Sequence, residues 1–453
     1  MITNSIDCNI KQILIIFLII TLCNCTIKKP SVNQQEDYFS EDFQKNDNEN
    51  IDEIVNKIIY ENKIFSNDIL SLSIGNKSID VGEPIIDLNS NSVLKISFDQ
   101  LNDQINHLQY EIIHCDLNWQ ESDLLEMEFL EGFKINYIDI INKSFGTLQP
   151  YVHYEFNIPN ENLKILKSGN YILKIFDEYD PETLLATIKF YVSENLMDVK
   201  FKVIETSNFE QRNYQQEFES TFSYDPNIIS DPYNNLYINI QQNHQEFNQY
   251  WIESPNFVRE NSIVYLPNSD RVFDGGNEFR YFDISSFRKV SEKINKINYI
   301  DSSYQIELIK DPKRSFKQYL NYRDLNGKFF LRSYDHQNSE FQSEYGWVNF
   351  HLPSEKINSE DVFIFGELSN WEINDKFKMS YDSINKEYSH KILLKQGYYN
   401  YLFVTSNGTK TSHRTIEGAH FETENEYIIK AYYRDPIDLY DRILCYRVFN
   451  SRN

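Results

Sequence analysis

Gly346-Trp347-Val348-Asn349-Phe350-His351-Leu352-Pro353 is the stretch whose reading decides the fold. Val348, Phe350 and Leu352 alternate with Asn349 and His351, and the run stops at Pro353, which has no amide hydrogen to give a ladder. A period of two puts each set of side chains on its own face of a strand. The same period recurs along the chain. Leu94, Ile96 and Phe98 alternate with Lys95 and Ser97, and residues 110–115 form another strand-length run. Tyr171, Leu173 and Ile175 alternate with Ile172, Lys174 and Phe176, Leu236, Ile238 and Ile240 with Tyr237 and Asn239, and Ile306 and Leu308 flank Glu307. Residues 362–365, 399–404 and 427–433 complete the set. Turn-forming tetrads separate these runs: Lys167-Ser168-Gly169-Asn170, Asp274-Gly275-Gly276-Asn277, Asp324-Leu325-Asn326-Gly327 and, shorter, Ser406-Asn407-Gly408. Short strands at this spacing, with no long amphipathic helix among them, predict an all-β chain of β-sandwiches.

Composition points the same way. Tyr and Phe number 32 each, with 4 Trp, and such rings favour a pleated, half-buried surface. A hydrophobic share of 41% is too high for a disordered chain. The 453 residues carry 44 Lys and Arg against 68 Asp and Glu, a formal charge of −24. That balance argues against nucleic acid as a partner and against anionic membrane surfaces, which both demand a basic stripe.

Catalytic signals are missing. With 13 Gly there is little material for phosphate-cradling loops, and the phosphate-loop, dinucleotide, zinc-protease and nucleophile-elbow motifs do not occur. His114-Cys115-Asp116 has metal-ligand residue types, but neighbours on a strand face opposite ways, so it reads as a strand end leading into a turn before Trp119. Asp324-Leu325-Asn326-Gly327 has an acidic look that suggests calcium, yet it lacks the later carboxylates of a coordination loop and reads as a hairpin turn. Glu367 and Glu372 lie near Trp371 as glycosidase carboxylates would, a proximity expected by chance among 68 acids. No enzyme activity, cofactor or metal is expected.

The amino terminus reads as an export signal. Lys11 precedes an apolar run to Leu22 that is too short to span a bilayer. Leu22-Cys23-Asn24-Cys25 resembles a relaxed bacterial lipobox, in which Cys25 would carry the lipid; plain cleavage is the alternative. Residues 26–61 are a polar, acidic tether, with a short helical pattern at Ile51, Ile54, Val55, Ile58 and Ile59 near its end. Of five Cys, Cys8, Cys23 and Cys25 lie in or beside the signal. Cys115 and Cys445 remain, either as a disulfide in an oxidising compartment or as two buried thiols. The body divides into domains at 62–195, 196–335 and 336–453, following residues 1–25 and 26–61.

The third domain carries a resemblance of its own. Val362-Phe363-Ile364-Phe365-Gly366-Glu367-Leu368-Ser369-Asn370-Trp371 and Gly397-Tyr398-Tyr399-Asn400-Tyr401-Leu402-Phe403-Val404 resemble the turn and strand of the immunoglobulin-like early-set sandwiches that bind α-glucans. This implies an alternative function, a glycan-binding lipoprotein in which Trp371, Tyr399 and Tyr401 stack on sugar rings. The competing reading places the same rings in the sandwich core.

A longer resemblance rests on an ordered series of strings. They are Ile113-His114-Cys115-Asp116 with Asn118-Trp119, Phe129-Leu130-Glu131-Gly132-Phe133, Ser168-Gly169-Asn170-Tyr171, Gly275-Gly276-Asn277-Glu278-Phe279-Arg280-Tyr281-Phe282-Asp283 and Asp324-Leu325-Asn326-Gly327. Gly346-Trp347-Val348 with Leu352-Pro353, Phe365-Gly366-Glu367-Leu368, residues 394–401 and residues 417–425 follow. In this order they are similar to the type IX secretion system plug proteins of Bacteroidota, over residues 55 to 442. The resemblance implies a periplasmic, non-enzymatic protein of consecutive immunoglobulin-like β-sandwich domains, associated with the outer membrane. Its partner would be the outer-membrane translocon barrel, whose pore it closes from the periplasmic side when no substrate passes. Membrane attachment would come only through a lipid on Cys25. Within that frame Gly275, Gly276, Asn277, Glu278, Arg280 and Tyr281 form a candidate protein-contact loop, against the alternative of an internal turn with an Arg280–Asp283 pair. Asp382-Ser383-Ile384 matches the short Bacteroidota O-glycosylation pattern, with Ser383 as acceptor.

Overall fold

Alternation becomes burial in the strand Tyr345–Pro353. Val348, Phe350 and Leu352 are fully buried while Trp347, Asn349 and His351 keep partial exposure. The computed structural model describes residues 60–76 and 82–452. The signal, Cys25, the tether and the helical pattern at 51–59 lie outside the described residues. Every strand expected above is present, within Leu94–Gln100, Leu108–Cys115, Gly169–Asp177, Leu236–Gln242, Ser303–Leu308, Tyr345–Pro353, Asp361–Phe365, Gly397–Ser406 and Glu426–Arg434. Among the described residues no α-helix exceeds four residues, and none is long and apolar enough to cross a membrane. The protein is all-β, built of sandwiches.

In the first sandwich, Lys63–Ile64, Asp180–Ser193, Gly169–Asp177, Leu108–Cys115 and Ile135–Tyr137 form one sheet in that order. Ile69–Asn76, Leu94–Gln100, Val152–Ile158 and Ile140–Lys143 form the other. Their inner faces share one core, where Tyr110 stacks on Phe156 at 4.3 Å and Phe98 on Tyr154 at 5.2 Å. Such pairs add to the stabilisation from burial itself.

The second sandwich departs from expectation. Asp198–Glu205, Gln215–Ser223, Ser262–Tyr265 and Phe257–Arg259 form one sheet, and the facing sheet runs Gln249–Ile252, Leu236–Gln242, Glu426–Arg434 and Asp441–Asn450. Half of that second sheet is the carboxy-terminal end of the chain. Register places Ile238 opposite Ala431 and Ile240 opposite Ile429, all fully buried. The third sandwich is therefore inserted into the second. One of its sheets gathers Arg280–Asp283, Phe329–Leu331, Asp361–Phe365 and Thr411–Ser412 around Gly397–Ser406. The other runs Ile294–Ile300, Ser303–Leu308, Tyr345–Pro353, Glu387–Lys395 and Ser380–Asp382.

The expected boundary at 335/336 is thus corrected, and the sandwiches are nested rather than consecutive. Phe282 stacks on Tyr399 at 5.2 Å and Phe329 lies 5.5 Å from the same ring, so residues on both sides of the expected boundary build one core. Asp324-Leu325-Asn326-Gly327 is a turn, but not of a hairpin. It feeds the strand Phe329–Leu331 from an irregular segment, with Asn326 and Gly327 at positive φ and the Asp324 carboxylate accepting from the amides of Phe279 and Asn326. Cys115 and Cys445 are both buried free thiols.

If the second sandwich is closed by the chain end, a fragment of residues 336–453 expressed alone should stay unfolded by circular dichroism. Residues 426–450 would then have no partner strand, and residues 279–335 would be missing from the core.

Candidate functional site

Ionic clusters brace the third sandwich from within and join the three sandwiches to one another. Within the third sandwich, Arg280 donates from Nε to both carboxylate oxygens of Glu417, at 2.9 and 3.1 Å. Arg314 donates to Glu417 Oε2 at 2.7 Å, and Glu417 Oε1 also takes the Phe403 amide at 2.9 Å. Arg280 reaches Asp311 at 2.6 Å as well. Burial alone would raise the Glu417 pKa, but Arg280 and Arg314 hold it down to about 2.

Between the first and third sandwiches, Asp99 accepts from Lys395 Nζ at 2.7 Å, from Tyr345 at 2.7 Å and from His153 Nδ1 at 2.7 Å. All four groups are buried. Burial works against the Asp99 charge, and Lys395 and His153 overcome it, so the carboxyl stays below the usual range. Between the first and second, Arg442 grips Glu194 with two hydrogen bonds of 2.9 and 2.7 Å.

Glu83 joins all three bodies. On the first sandwich, it takes Lys328 Nζ of the third at 2.6 Å, and from the second His244 Nε2 at 3.2 Å and the Tyr446 hydroxyl at 2.8 Å. Burial opposes its charge, but His244 and Lys328 hold the carboxyl far below its ordinary range. Glu83, His244 and Glu426 come within ligating reach of one another. The Lys328 ammonium, 2.6 Å from Glu83 and 3.6 Å from Glu426, already supplies the positive charge there.

Beside this junction opens a cleft of about 420 Å³, lined by Glu61, His244, Lys328, Glu367, Trp371 and Glu372 among others. Glu367 and Glu372, the two sequence-level carboxylates, are both raised in pKa by burial. Glu367 accepts the Phe329 amide at 2.8 Å, while Glu372 accepts from the Ile64 amide and from the Asn370 and Asn374 side chains. Both carboxylates tie loops to strands.

The sequence-level sites fare differently. The contact loop is corrected: Gly275, Gly276, Asn277, Glu278 and Arg280 are buried, and Tyr281 is only partly exposed. A Cβ at Gly275 would lie 2.0 Å from the His420 carbonyl oxygen, so glycine is there for close backbone approach. Asn277 donates to the Glu417 carbonyl, and Glu278 accepts from Tyr319 and from the Glu424 amide. Arg280 pairs with Glu417 and Asp311, whereas Asp283 pairs with Arg332. The loop is the hinge of the inserted sandwich.

The glycan platform is corrected too. Tyr399 and Tyr401 are buried in the third core, and Trp371 packs between Phe365 at 5.7 Å and His244 at 5.3 Å. Tyr399 and Tyr401, inside the core, cannot stack on a sugar, and Trp371 keeps only partial exposure at the cleft. Ser383 stands exposed on the turn joining Ser380–Asp382 to Glu387–Lys395. His114 bonds Ser122 and the Ser168 carbonyl at the end of its strand.

Sequence reasoning missed the exposed apolar edge of the first sandwich. Ile135–Tyr137 is the outermost strand of its sheet, and Ile135 and Tyr137 point the same way at 49% and 60% exposure, with Phe133 just before them at 68%. The period-two signal of Phe133, Ile135 and Tyr137 was there to be read.

Residues 69–194, nearly the whole first sandwich, match the family described as type 9 secretion system plug protein 1st domain. The chain carries the first domain of the type 9 secretion system plug proteins. A crystal structure of a hypothetical protein from Parabacteroides merdae ATCC 43184 is similar to the chain with a TM-score of 0.83 and 28% identity, over 86% of this chain and 98% of that one. That coverage runs well past the plug domain into the nested sandwiches. No curated protein matches the chain. The plug domain associates the protein with type 9 secretion.

Glu417→Ala should destabilise the protein by about 3–5 kcal/mol in denaturant melts, because two guanidinium groups lose their buried counter-charge. The folded Glu417 pKa of about 2 lies below its ordinary 4.5, so its contribution is present above about pH 4.5 and is lost as the pH falls towards 2. Wild-type stability should fall over that window, and the slope should be shallower in Glu417→Gln.

Proposed function

We propose that this protein is a non-enzymatic plug. It would bind the outer-membrane translocon barrel of the type 9 secretion system from the periplasmic side and close its pore when no substrate passes. The match of residues 69–194 to the plug first domain carries this reading. Two physical features support it. The sandwiches are fastened to one another by buried charge, which suits a body that must obstruct rather than yield. The outer edge of the plug domain presents Phe133, Ile135 and Tyr137, large apolar anchors of the kind that interfaces bury.

On this reading the protein works in the periplasm against the outer membrane, and a lipid on Cys25 would hold it there. Ser383, exposed on its turn, remains the proposed O-glycan acceptor; an unshifted intact mass from the native host would remove that assignment.

The test is recovery of the partner. Tagged protein purified from native outer membranes should bring down one very large barrel protein, and a strain lacking the gene should admit bulky antibiotics that the wild type excludes. Neither outcome occurring would sink the plug reading. Phe133→Asp with Ile135→Asp should leave the melting temperature near wild type, since both side chains are exposed, yet cut barrel recovery about tenfold. Undiminished recovery would move the contact away from this edge.

A further inference from the structure

At the interface between the first and second sandwiches opens a pocket of about 230 Å³. Trp119, Lys189 and Tyr191 line it from the first sandwich, and Asn239, Trp251 and Lys430 from the second. The last three form one row. Asn239 lies opposite Trp251 on one neighbouring strand and opposite Lys430 on the other, while Ile238, Ile240 and Ile429 on the reverse face fill the core. The row therefore faces the first sandwich across the interface.

Charge in this cavity is unbalanced. Lys430, 4% exposed, donates to the Gln241 side-chain oxygen at 3.1 Å and to the Tyr191 hydroxyl at 3.3 Å, and its ammonium lies 4.6 Å from the Tyr191 ring centre. An ammonium has three donors. Two find neutral acceptors, and among the described residues no carboxylate pairs with it. Lys189 sits 4.7 Å over the Trp119 ring and pairs with Glu246 at 3.0 Å. Two ammonium groups thus share one carboxylate. Asn239, fully buried, donates to Gln249 but leaves Oδ1 without a partner among the described residues. Burial pushes the Lys430 pKa down to about 7, with Lys189 adding to the shift and the more distant Glu246 and Glu83 only partly offsetting it.

We propose that this cavity binds a small carboxylate-bearing molecule, with the carboxylate on Lys430 and Lys189 and the body of the ligand against Trp119 and Trp251. One negative charge balances the site. A phosphate dianion would leave an excess buried charge, and the site has no arginine fork to receive it. Asn239 Oδ1 accepts a hydroxyl or amide hydrogen from the ligand body, and the tryptophan rings cover its apolar face. The volume equals about seven waters at ~30 Å³ each, the size of a single acidic sugar or the last residue of a peptide.

Those two sources share the carboxylate, and titration separates them. The full chain is titrated by calorimetry and tryptophan fluorescence with glucuronate, with glucose, with a short peptide bearing a free carboxyl terminus, with its amide, and with sulfate. A saturable response to glucuronate or to the free-acid peptide, absent with glucose, the amide and sulfate, is expected; whichever carboxylate binds names the source. Lys430→Gln should weaken binding about tenfold or more, the loss of a charge-assisted bond, without lowering the melting temperature. Lys189→Gln gives the same reading should Lys430→Gln fail to fold. The proposal is overturned by no saturable response to either carboxylate, by an equal response to glucose, amide or sulfate, or by folded lysine variants that bind as the wild type does.

Discussion

One carboxylate, that of Glu83, is shared by three bodies. Its partners are an ammonium from the third sandwich and an imidazole and a phenol from the second, and none lies near it in sequence. A charge removed from water is tolerated only when every partner is in place, and losing one partner costs several kcal/mol. The same holds for Asp99 with Lys395 and, inside the third sandwich, for Glu417 between its two arginines. The junctions at Glu83 and Asp99 require the correct approach of finished sandwiches, so these ion pairs specify a single relative placement that apolar contact alone would leave looser. Buried charge here acts as alignment.

How much of this was legible depends on the distance over which each signal acts. Strands such as Tyr345–Pro353 were readable because alternation is a local property that survives whatever the strand pairs with. The partner of a strand is not local. Residues 427–433 look the same whether they pair with a neighbour in sequence or with Leu236–Gln242, some two hundred residues earlier. The stretch Gly275 to Arg280 misled for a related reason. Two glycines and an asparagine are the ordinary materials of an exposed turn, and they serve as well where a backbone must press against another backbone, as Gly275 does against His420. Tyr399 and Tyr401 alternate as sugar-binding rings would, yet alternation says only that they share a face, and that face is the core. The ionic junctions were invisible, since Arg280, Arg314 and Glu417 meet only after folding.

The proposed role sits comfortably with this construction. A catalytic site needs polar groups left poised and unspent. Here the buried carboxylates Glu417 and Asp99 and the partly buried Glu367, Glu372 and Glu83 all hold loops, strands or whole sandwiches in place. Lys430 differs, a buried cation whose hydrogen bonds go to neutral acceptors.

Nesting one sandwich within another also sets an order of assembly. Synthesis delivers the chain from its amino terminus, so the inserted body can be complete while the sandwich that surrounds it still has half a sheet. Until residues 426–450 arrive, Leu236–Gln242 waits with an unpaired edge and a naked apolar face, the state in which strands join the wrong neighbour. A late-closing shell thus delays completion of the fold until the whole chain has been delivered.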